Sequence, residues 1–137
     1  MVIADTGFWL ALANRKDNFH ERAKSVLSEL QEPLITTWPI VTETCHLLLN
    51  RMGSFAQVRF IKGLVTQSFH VFDIPESSHS RIIKLMERYQ DLPMDFADAS
   101  LVILAEHLGD GRIVSTDQRD FKTYKWKQNK PFANLLC

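Results

Sequence analysis

The chain has 137 residues, 16 basic and 16 acidic side chains and 45% hydrophobic residues. That length suits a single domain over residues 1–137, and the apolar fraction excludes disordered and collagen-like chains. No stretch approaches the roughly 18 apolar residues of a membrane span, and Asp5 interrupts the start before a signal-peptide core can form, so the chain reads as soluble and cytoplasmic with no membrane partner.

Taken in order, Met1–Asp5 reads as a short buried strand punctuated by Thr6 and Gly7. Helical patterns follow over 8–14 and over 19–31, the second with Ala23, Val26, Leu27 and Leu30 on one face and Pro33 beyond its end. Leu34–Thr36 is a strand. Residues 38–50 form a helix with Pro39 in its first turn, and Ser54 can cap a helix running to about Thr66. A strand at 69–74 is followed by a helix from Pro75 to about Gln90. A further helix opens at Met94 or Asp95 and closes at Gly109. Arg112–Ser115 is a strand, and 132–136 a weaker one. Strands alternating with helices predict an α/β fold with a mainly parallel sheet of four to five strands flanked by helices. Sites in such sheets form at the carboxyl ends of the strands, near the point where strand order reverses.

The two cysteines, Cys45 and Cys137, make neither a disulfide framework nor a zinc pattern. Charge is unevenly placed. Between Arg112 and Lys130 there are six basic residues against two acidic ones, balanced by an equal acidic excess elsewhere. Arg119, Lys122, Lys125 and Lys127 interleave with Phe121, Tyr124 and Trp126. Such a strip can bind a single nucleic-acid strand through lysines and stacked rings, or be an ordinary solvated surface.

Four acids stand out by position. Asp5 and Asp117 follow the first strand and the 112–115 strand, where a lone acid also serves as a helix cap. Thr6 and Thr116 lie beside them and can hydrogen-bond a carboxylate or a water. Glu43 shares a helix face with Ile40 and Leu47, and Asp98 shares one with Leu101, Val102 and Ala105. An unpaired carboxylate on a buried stripe costs several kcal/mol or takes up a proton. Each can be compensated by a salt bridge or a hydroxyl, or the acids can converge on a shared dication. Mg²⁺ and Mn²⁺ prefer such oxygen donors, and no His or Cys stands at zinc-ligand spacing. The residue two after Asp5 is Gly7, where a haloacid-dehalogenase-like phosphatase needs a second Asp. Nucleotide-binding glycine loops are absent.

Read together, IADTGFWLALANRKDNFHERA, TTWPIVTETCHLL, DFADASLVILAEHLG and IVSTDQRDF resemble a PIN domain of the VapC toxin type. The resemblance spans Asp5 to Phe121 and beyond. It implies a parallel sheet flanked by helices and an acidic pocket holding Mg²⁺ or Mn²⁺. It further implies endoribonuclease activity that leaves 5′-phosphate and 3′-hydroxyl ends. Asp5, Glu43, Asp98 and Asp117 match the family's acids, Thr6 and Thr116 its neighbouring hydroxyls, with Asp95 and Asp120 as nearby extras. RNA is then the substrate and an antitoxin protein the expected partner. A homodimer is also expected, for which Leu47, Leu48, Phe55, Phe60 and Leu64 offer apolar surface. Two other readings stay open: a non-catalytic RNA-binding or assembly domain, and a nuclease acting on single-stranded or flap DNA.

Overall fold

The computed structural model describes residues 1–136; Cys137 lies outside the described residues. Val2–Ala4 forms β1, wholly buried, as expected of a central parallel strand covered on both faces. Asp5 follows as the N-cap of α1 (Thr6–Ala13), so this helix starts two residues before the expected Phe8. After α2 (His20–Glu29) come β2 (Leu34–Thr37) and α3 (Trp38–Met52), with Pro39 in the first turn of α3. Leu27 falls off the buried face of α2 and is largely exposed. Next are α4 (Ser54–Val65) and β3 (Phe69–Phe72), which is shorter than the 69–74 pattern. The expected 75–90 helix is divided into a 3-10 turn at Glu76–Ser78 and α5 (His79–Arg88). The long buried helix α6 (Phe96–Leu108) ends at Gly109, whose φ of 67° is the left-handed conformation that glycine adopts without strain.

The last third holds β4 (Arg112–Val114) and then α7 (Gln118–Thr123), a helix the sequence pattern does not suggest. A small antiparallel hairpin follows, β5 (Lys125–Trp126) and β6 (Lys130–Pro131), and then β7 (Ala133–Asn134).

Five strands form one parallel sheet in the order β3-β2-β1-β4-β7. The chain winds outward from β1 to one edge and then returns to the other side, so the order reverses between β1 and β4. Buried hydroxyls tie neighbouring elements together: Thr36 Oγ1 donates to Ala4 O (2.8 Å) between β2 and β1, and Thr37 Oγ1 and Ser100 Oγ share a hydrogen bond of 2.6 Å between β2 and α6. No helix among the described residues is long and apolar enough to cross a membrane. Of the five apolar residues set aside for a homodimer, Leu48 is buried in the core, and Phe60 and Leu64 pack against it. Phe60 stacks on Phe69, 5.0 Å between centroids. Phe55 alone of the five is exposed, at 78%.

Candidate active site

The carboxyl ends of β1 and β4 deliver Asp5 and Ser115–Asp117 to the point where strand order reverses, and the rule for parallel sheets puts a site there. A cleft of about 450 Å³ opens at this point. Its wall holds the four acids singled out from the sequence, Asp5, Glu43, Asp98 and Asp117, and also Asp95 and Asp120. Thr6 and Thr116 line it as well, whereas no Lys, Arg or His side chain does.

Three of these acids serve helices as well as the cleft. Asp5 accepts a hydrogen bond from Thr6 N (2.7 Å) at the start of α1. Asp95 accepts from Asp98 N (2.8 Å) at the start of α6, and Asp117 from Asp120 N (3.0 Å) at the start of α7. Asp5 and Asp117 thus cap helices and also line the cleft. Helix N-termini carry partial positive charge, which lowers the cost of gathering carboxylates there.

Neighbouring side chains fix the geometry. Ser115 Oγ donates to Asp5 Oδ2 (2.9 Å) and accepts from Asp117 N (2.9 Å), linking the two strand-end acids. Tyr124 Oη donates to Asp98 Oδ2 at 3.0 Å. Sequence reasoning passed over Ser115; its only signal was its place as the last residue of the RIVS strand pattern. The sequence pattern suggests a different role for Tyr124, as a ring stacked on a base. Its ring is fully buried, edge-on to Tyr89 and Phe121, and Trp126 is 7% exposed with its Nε1 donating to Pro131 O. Neither ring is open to stack a base, which corrects the expected role of both. Lys127 and Lys130 lie over the Trp126 indole, Lys122 and Lys127 are exposed, Lys125 is half-buried, and Arg119 pairs with Asp120 at 3.5 Å. None of these cations lines the cleft.

Burial and crowding raise the proton affinity of Asp5, Glu43, Asp98 and Asp117. Burial pushes Asp98 up to about 8, helped by the charges of Asp95 and Asp5 and opposed by the Tyr124 hydroxyl. Burial pushes Asp5 up to about 6 against the pull of Thr6 N and Ser115, with Glu43 and Asp117 adding to the rise. Glu43 is raised by burial and then by Asp95, and the Thr6 hydroxyl offsets part of this. Asp117 is raised chiefly by burial, with the Asp120 carboxyl as a contributor.

The cleft's own chemistry suits a hard divalent cation. Its charged donors are all carboxylate oxygens, and positive charge among them would offset both their burial and their mutual repulsion. Asp120 Oδ1 is buried without a hydrogen-bond partner, and its one cation contact is Arg119 Nε at 3.5 Å. Among the described residues no three of these groups stand in a ligating arrangement.

A parallel α/β sheet with an acidic cleft at its switch point defines the class of small domains whose chemistry resides in clustered carboxylates. Within that class the PIN domain model matches residues 2–127, and the chain belongs to the PIN-domain family. It is similar to Ribonuclease VapC26 of Mycobacterium tuberculosis, with 22% identity over 124 residues, 90% of this chain and 92% of that protein. Its fold matches the crystal structure of Mycobacterium tuberculosis VapC20, a sarcin–ricin loop cleaving toxin, with a TM-score of 0.80 and 22% identity over 87% of this chain and 92% of that one.

Proposed function

We propose that this PIN domain is a divalent-cation-dependent endoribonuclease, the toxin of a toxin–antitoxin pair acting in the cytoplasm. The observation that carries this reading is the cleft of six carboxylates at the strand-order reversal, lined by no basic side chain. The names of the similar relatives, a ribonuclease and an RNA-loop-cleaving toxin, agree with it.

Asp5, Asp98 and Glu43 would hold one Mg²⁺ or Mn²⁺, with Asp117 and Asp120 completing that site or helping a second. When bound, the cation supplies water activation and charge neutralisation on a phosphodiester. The protein's share is positioning. Ser115 and Thr6 N hold the two oxygens of Asp5, and Tyr124 holds Oδ2 of Asp98. Thr6 and Thr116 place hydroxyls beside the acids where a phosphate oxygen would lie. An antitoxin would block the site by setting an Arg or Lys on the carboxylates. A second copy of the chain is a further expected partner, through the face carrying the exposed Phe55.

The test is cleavage of a mixed RNA pool by purified protein with Mg²⁺, with Mn²⁺ and with EDTA, beside Asp98→Asn. The expected result is cleavage with either metal, leaving 5′-phosphates, and none with EDTA or from the variant. Asp98→Asn keeps a hydrogen-bond acceptor for Tyr124, so a folded but inactive variant is expected. A folded protein that cuts no RNA with any metal would support the binding or assembly reading, and cleavage of DNA alone the flap-nuclease reading.

A further inference from the structure

The acidic cleft poses an electrostatic difficulty for its own substrate. A nucleic-acid strand brings a negative phosphate at every nucleotide, and only the one being cut would face a cation in the cleft. The flanking phosphates would meet carboxylates, and no Lys, Arg or His lines that cleft to receive them. The compensating charge has to come from an adjoining surface.

Such a surface exists. A second cleft of about 450 Å³ shares Gly7, Leu10 and Thr116 with the acidic one and carries Lys16 and Arg51. Both cations are exposed, and neither belongs to an ion pair among the described residues. The one acid in its lining, Asp17, has its Oδ1 occupied by Phe19 N at 2.8 Å. The wall between the two clefts is thin because Gly7 has no side chain. A Cβ at this position would collide with Thr116 Oγ1. The Thr116 hydroxyl thus stands at the boundary, in the lining of both clefts.

Resting on the nuclease reading above, we propose that this second cleft is a phosphate subsite of the RNA substrate. The strand crosses from the acidic cleft over Gly7 and Thr116, and Lys16 and Arg51 take a phosphate next to the one that is cut. The substrate-holding cations therefore come from the α1–α2 connection and the end of α3, far in sequence from the 112–130 strip.

The test compares the parent protein with Lys16→Gln/Arg51→Gln, Arg51→Lys and Lys62→Gln, the last a change on α4 away from both clefts. The probe is a fluorescein-labelled 12-nucleotide single-stranded RNA. Its affinity is measured by anisotropy in EDTA at several salt concentrations, and its cleavage with Mn²⁺ as kcat and KM. The double variant is expected to raise Kd and KM about tenfold, leave kcat within about twofold, and lower the slope of log K against log salt by about one. Arg51→Lys is expected to retain most of the parent's affinity, and Lys62→Gln all of it. An unchanged Kd, KM and salt slope in a folded double variant would overturn the inference. So would a parent protein that does not bind RNA. A parent that binds without cutting, and loses binding in the double variant, would leave the subsite standing and remove the nuclease reading instead.

Discussion

Asp98 is the residue on which the site's electrostatics turn. Its pKa of about 8 in the folded protein lies far above the ordinary carboxylate value of 3.8, through burial and the charges of Asp95 and Asp5. A group that holds its proton more tightly when folded stabilises the fold fully below its unfolded pKa. That contribution is lost as pH rises through the folded value. Asp5, at about 6, acts in the same direction over the lower part of the range. The melting temperature of the cation-free protein is therefore expected to fall between pH 5 and pH 8.5, at about 4 °C per kcal/mol lost in a domain of this size. Asp98→Asn is expected to flatten the profile, and thermal melts in EDTA across that range measure both. Glu32 shifts the other way, held at about 2 by Arg112, but its window lies below pH 4.5 and does not overlap. Tyr124 belongs to the same scale. Removing its hydroxyl in Tyr124→Phe takes the donor from Asp98 Oδ2, and Mn²⁺ affinity is expected to weaken about tenfold without loss of the fold. Equilibrium binding on the purified variant measures this, and wild-type affinity would show that the hydrogen bond does not position Asp98.

Among the elements, the helix starts matter most. The first turns of α1, α6 and α7 meet at the cleft, capped by Asp5, Asp95 and Asp117. Asn caps a helix about as well as Asp, so Asp→Asn changes at these positions remove charge while keeping the cap. The meeting of α1 with the loop after β4 depends on Gly7. Gly7→Ala is expected to force the two apart, lowering both thermal stability and cleavage, and Thr116→Ala in the same chain should recover part of the stability. Melting curves of the single and double variants check this. The sheet and six of the helices were legible because their apolar residues recur at strand or helix period. The acids were legible because Glu43 and Asp98 interrupt apolar faces. Three things were not legible. The six residues of α7 are too few to show a period. The β5–β6 hairpin turns at Lys127 and Gln128, non-glycine residues with φ of 43° and 71°, where the sequence carries no turn signal. The inward aim of Tyr124 and Trp126 comes from contacts with Tyr89, Phe121 and Pro131, which no local pattern encodes.

On the scale of the whole molecule, a net charge of zero conceals a separation. Six carboxylates gather where the strand order reverses, while Lys127 and Lys130 lie over the Trp126 indole and do not face the cleft. A concentration of like charge at one point of a small fold is eased by a shared dication, and burial with mutual repulsion raises the proton affinity of Asp5 and Asp98 there. The most direct measurement is a calorimetric titration of Mn²⁺ into metal-stripped protein at pH 8, with Asp98→Asn alongside. Saturable binding by the parent, accompanied by proton release and lost in the variant, is the expected result. A parent protein that takes up no Mn²⁺, or a variant that binds it equally well, would contradict the assignment of this cleft as a cation site.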